Sequence, residues 1–299
     1  MSRLQADLLL ILCAAVWGFA FLFQKTAMEH VGPMLFVALR SAVACIALAP
    51  IAILERRWAP SQGPSFGGVA RAGLLAGLAF ATGAILQQAG LITASVTNTG
   101  FLTALYVVIT PFIAWVLIKK KPALLIWIAV ALSFIGIWLL GGGTFAAFGH
   151  GDLLVAVSAV FWALHVVVVA LYAGKSSPIL FTCLQFAVVA AVAGALAMTF
   201  EPISLAAIRN AGPEIAYVGV LSSALTFTLL TLALRSTPPS EATIIVSTET
   251  LFAAFGAYVF MGERLTSLGW LGAALILGAI VLVQVTGARR SQRAGTGSD

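Results

Sequence analysis

Few ionisable residues of this 299-residue chain stand inside its apolar runs, and their chemistry needs the most explanation. Glu249 is the only carboxylate near the middle of such a run. A charge at a bilayer centre costs about 3 kcal/mol on insertion scales, so this carboxyl must face a cavity, pair, or hold its proton. Two chemistries follow: contact with a substrate amine, or the binding and release of a proton. The plain alternative is a neutral carboxyl bonded to a neighbouring helix. His165 is a second candidate, an ionisable ring at midspan. Arg40 lies about a third of the way into its run; a structural role, by snorkelling or by pairing with a carboxylate, accounts for it.

Around these groups the spacing is helical. Ser158, Trp162 and His165 recur at i, i+4 and i+7 on one face, and Cys13, Trp17, Phe21 and Gln24 form a similar face in the first run. Aromatic rings on such faces suit the wall of a cavity for a planar or apolar molecule, or they pack between helices. Thr99, Thr103, Tyr106 and Thr110 repeat at helical spacing beside Asn98, and Ser222, Ser223 and Thr226 cluster in a later run. Such hydroxyls bond a substrate or their own backbone carbonyls. Gln87 and Gln88 are costly in lipid and face either a cavity or another helix. Asp7 and Asp152 begin their runs and read as helix caps.

Other chemistries lack their residues. Cys13, Cys45 and Cys183 have no CxxC spacing and no nearby His, so they read as small buried hydrophobes, not a zinc site or disulfide framework. Gly149-His150-Gly151-Asp152 spells the GxGD of intramembrane aspartyl proteases. The other aspartates are Asp7 and Asp299, which leaves no second intramembrane Asp. Gly141-Gly142-Gly143 precedes no Lys and is not a phosphate loop. No HExxH, GxSxG or Walker motif occurs, so neither an enzyme nor an ATP-driven pump is expected, and no metal or cofactor is implied.

The elements that must hold these residues are membrane helices. The chain is 61% hydrophobic and 9% charged, against about 25% charged in a soluble domain. Ten spans are expected, at about 7–24, 33–53, 70–91, 97–118, 123–141, 152–172, 178–199, 213–234, 241–261 and 267–286. The first is read as a retained helix, because no cleavage pattern follows it. Connections are short and carry Pro or Gly: Gly32-Pro33, Ser177-Pro178, Gly212-Pro213 and Pro238-Pro239. Gly73-x-x-x-Gly77 fits close helix packing.

Basic residues set the orientation. Arg3, Arg56, Arg57, Arg71, Lys119, Lys120, Lys121, Lys175, Arg235, Arg289, Arg290 and Arg293 fall on one side, and only Lys25, Arg209 and Arg264 on the other. The bias places both termini in the cytoplasm, with Lys119-Lys120-Lys121 as a topological anchor and a contact for anionic lipid. The formal charge of +6 is therefore topological, and no nucleic acid partner is expected.

The halves repeat. Asp7 and Trp17 match Asp152 and Trp162 at a shift of 145, and Pro33-x-x-Phe36-x-x-Leu39 matches Pro178-x-x-Phe181-x-x-Leu184 at the same shift. By that shift Arg40 corresponds to the uncharged Gln185. Trp127 and Ala131-Leu132 match Trp270 and Ala274-Leu275 at a shift of 143. Five helices per half is an odd number, so the second half enters the membrane from the opposite side, as in secondary transporters built from inverted repeats. The expected fold is all-α, two inverted five-helix repeats around a central cavity, with units 1–145 and 146–288 and a tail 289–299. One chain then holds both halves of a pathway, and a monomer is sufficient.

Several of these residues resemble a known family. Trp17-Gly18, Pro33…Arg40, Tyr106…Pro111, and Gly262-Glu263-Arg264-Leu265 followed by Trp270-Leu271-Gly272 are similar to the EamA-type drug/metabolite transporter superfamily. The resemblance is nearest to the YddG-like exporters of aromatic and other amino acids. It implies a ten-helix basket whose cavity is lined mainly by helices 1, 3, 4, 6, 8 and 9, with helix 2 at the periphery. It also implies export of amino acids or similar small metabolites across a bacterial inner membrane by alternating access. The expected cavity residues are Trp17, Phe21, Tyr106, Trp162, His165 and Glu249, with Gln87, Asn98 and Ser223 as polar contributors. One departure stands out. Relatives often carry Pro after the helix-9 Glu, whereas Thr250 follows Glu249 here, so a kink there does not follow from the resemblance. The alternatives are a proton-coupled drug or organic-cation antiporter of the same superfamily, and an intramembrane enzyme. Small four-helix relatives of the antiporter kind use a Glu in helix 1, and helix 1 here has none. An enzyme has only Glu249 with His165 as a catalytic pair.

Overall fold

The computed structural model describes residues 1–58, 66–119, 121–140, 142–143, 149–175, 177–262, 264 and 266–295, and its regular structure is entirely helical among them. Lys120, Gly141, Glu263, Leu265 and the last four tail residues lie outside this set, as do the side chains of Arg56, Arg57, Arg289, Arg290 and Arg293. The first half comprises α1 (Arg3–Ala27), α2 (Pro33–Trp58), α3 (Phe66–Leu91), α4 (Val96–Thr103), α5 (Tyr106–Ile118) and α6 (Leu124–Leu140). The second comprises α7 (His150–Tyr172), α8 (Pro178–Phe200), α9 (Leu205–Asn210), α10 (Gly212–Ala216), a π-helical segment (Tyr217–Leu225), α11 (Thr226–Ala233), α12 (Pro239–Val246), α13 (Glu249–Met261) and α14 (Ser267–Gly295).

Eight stretches among the described residues are long and apolar enough to cross a bilayer; α4 with α5, α10 through α11, and α12 with α13 each count as one. The remaining two expected spans are shorter apolar helices, Leu124–Leu139 and Ser267–Val283. The surface is hydrocarbon: Ile46, Val116, Met198, Phe260 and Trp270 are among the most exposed side chains. Polar groups such as Gln88, Thr110, Ser158, His165 and Gln185 are fully buried. An apolar exterior, with the polar side chains drawn into the interior among the apolar core, suits lipid, where backbone groups must be satisfied inside each helix.

The helix starts refine the capping expectation. Asp152 behaves as expected, its Oδ2 accepting the Gly149 N–H at 2.9 Å at the start of α7. Asp7 does not. Helix α1 begins four residues earlier, capped by Ser2, whose Oγ accepts the Gln5 N–H at 3.2 Å. Asp7 instead pairs with Arg3 at 2.8 Å and accepts the Thr237 hydroxyl at 3.1 Å, while Arg3 also reaches Glu241 at 2.8 Å. The first turn of α1 is thereby tied to the start of α12.

The closest helix pairings are α2 with α8, α3 with α7, and α6 with α14. Two glycines set how near the inner helices come. A Cβ on Gly77 of α3 would stand 2.8 Å from the Gln185 carbonyl oxygen and 2.7 Å from Val188 Cβ. A Cβ on Gly219 of the π segment would stand 2.9 Å from the Arg40 carbonyl oxygen and 2.8 Å from Val43 Cβ. Both positions exclude any larger residue, and both bring a backbone against the turn that carries a polar side chain. Gly73 extends the α3 contact to Leu184 of α8, as its spacing from Gly77 anticipates.

Candidate functional site

The inner helices surround a cavity that is partly open to the exterior. Small-molecule sites are concave and mostly apolar, with a few placed polar groups. Its wall comes from α1 (Trp17, Phe21, Gln24), α3 (Phe80, Gln87), α4 and α5 (Thr103, Tyr106) and α7 (Trp162, His165, Val166). The π segment and α11 add Ser222, Phe227 and Leu230, and α12 and α13 add Ala242, Thr243, Val246 and Glu249. One residue of α2 joins them, Arg40. Placing helix 2 wholly at the periphery is therefore corrected.

Two of the wall residues stand where helices are interrupted. The ladder breaks between Thr103 and Tyr106, so Tyr106 opens α5, and again between Val246 and Glu249, so Glu249 opens α13. The Tyr106 hydroxyl donates to Glu249 Oε1 at 2.9 Å, joining the two breaks. No proline makes the second break. Hydroxyls turn back onto carbonyls one turn earlier: Ser247 onto Ile244 at 2.7 Å, Thr248 onto Ile245 at 2.7 Å and Thr250 onto Ser247 at 2.8 Å. Such bonds compete with the backbone ladder and bend helices. A helix interruption thus stands beside Thr250 without a proline.

The rest of the wall is aromatic. Phe227 lies 4.7 Å from Trp17, 4.8 Å from Phe80 and 6.4 Å from Trp162, ring centre to ring centre. Phe80 meets Trp162 edge-on at 4.9 Å and His165 edge-on at 5.3 Å. Trp17 and Trp162 are thus linked through Phe80 and Phe227, which sequence reasoning did not single out. The Trp17 indole N–H donates to the Ser222 carbonyl at 2.9 Å, and the Thr226 hydroxyl donates to the same oxygen at 2.6 Å. That carbonyl lies in the π segment, where the regular ladder is interrupted, as is frequent at functional sites.

The polar groups divide into answered and unanswered ones. Gln87 Nε2 donates to Thr103 Oγ1 at 2.7 Å. His165 Nε2 donates to Gln185 Oε1 at 2.9 Å, with the amide oriented so that its oxygen accepts. Arg40 has no such partner. It is 4% exposed, and its Nε and Nη2 donors are buried without a hydrogen bond among the described residues. Its guanidinium sits 5.8 Å from the ring centres of both Phe36 and Phe80. Cation–π contact recovers about 0.5–2 kcal/mol, whereas desolvating an ion costs several kcal/mol.

Two of the nine expected residues lie outside the wall. Asn98 sits at the start of α4, where its Nδ2 donates to Asp152 Oδ1 at 3.3 Å, so the amide serves a helix junction. Ser223 is fully buried, its hydroxyl has no partner among the described residues, and the wall is formed by its neighbour Ser222. Gln88 turns away from the cavity and donates to the Gln24 carbonyl at 3.0 Å. Cys45 and Cys183 meet across α2 and α8 with sulfurs 3.6 Å apart, a proximity hidden by 138 residues of sequence.

Comparison with known proteins accords with this architecture. A transporter of Archaeoglobus fulgidus, named only as an uncharacterized transporter, is 28% identical over 292 residues, covering 95% of this chain and 87% of its own. The uncharacterized transporter YwfM of Bacillus subtilis is 24% identical over 188 residues, 62% of each chain. A solved crystal structure superposes with a TM-score of 0.77 at 15% identity, over 96% of this chain and 99% of that one, a likeness of fold alone. The profile of the EamA-like transporter family matches twice, over residues 4–142 and 149–285. With almost its whole length so matched, and with an aromatic cavity carrying a few polar groups inside an apolar multi-helix shell, this multi-pass membrane protein belongs to the EamA-like transporter family.

Proposed function

We propose that the protein is a secondary transporter that exports small metabolites, amino acids including aromatic ones above all, from the bacterial cytoplasm. It works as two inverted five-helix halves that alternate access to the central cavity across the inner membrane, with both termini cytoplasmic. The observation that carries this reading is the Tyr106–Glu249 bond, which joins two interrupted helices at the wall of an aromatic cavity. Transporters place substrates near the bilayer midplane at discontinuous helices between repeats. The inverted arrangement is supported by the pairings as well. Exchanging the halves carries α2–α8 into itself, α6–α14 into itself, and α3–α7 into the pairing of α1 with the π segment and α11.

The aromatic rings supply a surface for a planar or apolar side chain. Glu249 and Tyr106 offer a site for an ammonium group or a proton. The enzyme alternative weakens because His165 is engaged by Gln185 and Glu249 by Tyr106. The antiporter alternative keeps Glu249 in its favour, but a cation entering this cavity would also meet Arg40.

The test is uptake by proteoliposomes of labelled phenylalanine, tryptophan, threonine and an organic cation, with and without a pH gradient. Saturable amino-acid uptake without cation uptake is expected, with loss of most activity in Glu249→Gln. Gradient-driven cation uptake alone would identify an antiporter instead.

A further inference from the structure

Arg40 is the one wall residue that carries a guanidinium, and its situation is unusual for a buried cation. Its Nε and Nη2 donors have no acceptor among the described residues, although the side chain is almost wholly buried and lines the cavity. Glu249 is in the same wall, yet no ion pair joins the two; the carboxyl is taken by Tyr106. The corresponding position in the other half has a partner for its side-chain oxygen, although Gln185 Nε2 and His165 Nδ1 are buried without a hydrogen bond among the described residues. Gln185 bonds His165, whereas the counterpart of His165 by the 145-residue shift is Ala20, which has nothing to offer Arg40.

Buried polar groups are nearly always paired, and a buried charge more strictly than the rest. A guanidinium presents a planar fork of donors that matches a carboxylate in two parallel bonds. Phe36 and Phe80 stand beside it, each ring centre 5.8 Å from the guanidinium carbon, and neither offers an acceptor to its Nε and Nη2 donors. Gly219 fixes the backbone at Arg40 by close approach of the π segment.

We infer that Arg40 is the anchor for a carboxylate of the transported molecule, and that the site selects small carboxylate-bearing compounds over their decarboxylated analogues. The inference rests on the transporter reading of the cavity. With Arg40 holding the carboxylate, the Tyr106–Glu249 pair is left for an ammonium group and the ring cluster around Phe80 and Phe227 for an apolar side chain. An amine without a carboxylate would leave the guanidinium unanswered and add a second cation to the cavity.

The experiment measures ligand binding by thermal shift on the purified full chain in detergent, alongside proteoliposome uptake of the same compounds. The probes are phenylalanine, 3-phenylpropionate and phenethylamine, which carry both charged groups, the carboxylate alone and the amine alone, with pyruvate and glutamate as further carboxylates. Phenylalanine and 3-phenylpropionate are expected to bind and phenethylamine to bind at least about 30-fold more weakly. Arg40→Gln should remove that preference, while Arg40→Lys should keep a reduced one because it retains the charge without the fork. Preference for carboxylates in the wild-type protein needs no variant to be read, so misfolding of a variant does not blunt the test. Phenethylamine binding as well as phenylalanine, unchanged carboxylate binding in a folded Arg40→Gln protein, or no binding of any carboxylate would each overturn the inference. Carboxylates that bind through Arg40 but are not taken up would leave the anchor standing and defeat the transporter reading instead.

Discussion

Arg40 and Gln185 stand at corresponding places in the two halves, and each has its carbonyl pressed against a glycine of a neighbouring helix. They differ in what answers their side chains. Gln185 Oε1 meets His165 Nε2 at 2.9 Å, while Gln185 Nε2 and His165 Nδ1 have no partner among the described residues. Arg40 meets two aromatic rings and no acceptor, and it lies along the cavity. At this pair of positions the second half bonds one helix to another, while the first leaves charged donors without an acceptor among the described residues. The lesson is that two halves matched by one family profile can differ in function through single side-chain exchanges, here Ala20 for His165 and Arg40 for Gln185.

The comparison breaks most completely if its shared scaffold is disturbed. Gly77→Ala and Gly219→Ala each force a methyl into space under 3 Å from a neighbouring backbone, and each should cost about 3 kcal/mol of stability. Thermal unfolding in detergent reads this loss for both, and only Gly219→Ala should also weaken carboxylate binding, because it displaces Arg40. Equal binding losses would erase the distinction between the halves.

Next in size is the His165–Gln185 bond. Gln185→Leu strands a buried imidazole and should destabilise by about 2 kcal/mol, and adding His165→Leu should recover part of the loss. A double-mutant cycle on unfolding midpoints measures the coupling; additivity would mean the bond contributes nothing. Arg40→Leu should act in the opposite sense. Replacing an unanswered buried charge with an apolar side chain should raise stability by about 1 kcal/mol while abolishing substrate binding. Destabilisation with binding retained would make Arg40 a structural residue.

The smallest effect is expected at a position outside the wall. Asn98→Ala removes one long hydrogen bond to Asp152 and should change transport less than about twofold, with a stability loss of about 0.5 kcal/mol. A large transport defect would bring Asn98 back into the pathway.

Much of this arrangement was legible in the residues because the bilayer makes misplaced polarity expensive. Glu249, His165, Gln87 and Tyr106 announce themselves as groups that lipid would not tolerate, and all four line the cavity. Phe80 and Phe227 carry no such mark, since Phe112 and Phe255 are equally ordinary phenylalanines and are more than half exposed on the outer surface. Only the third dimension separates the two kinds. Arg40 was legible as costly but not as facing the cavity, because helix 2 was expected at the periphery. Asp7 misled because the capping serine five residues earlier lies before the apolar run begins. The π segment and the hydroxyl-made break before Glu249 depend on bonds between residues a turn apart that compete on nearly equal terms, and hydrophobic period alone does not report their outcome.

That break has a consequence for how the wall can move. A proline would delete an amide proton from the helix for good. The turn from Ile244 to Thr250 keeps its amides and is interrupted where hydroxyls bond carbonyls at 2.7–2.8 Å, two of which also accept a backbone amide. Each hydroxyl bond can be released by rotating one side chain about its Cα–Cβ axis. The joint that presents Glu249 is thus a set of small latches, each able to open without unmaking the chain on either side.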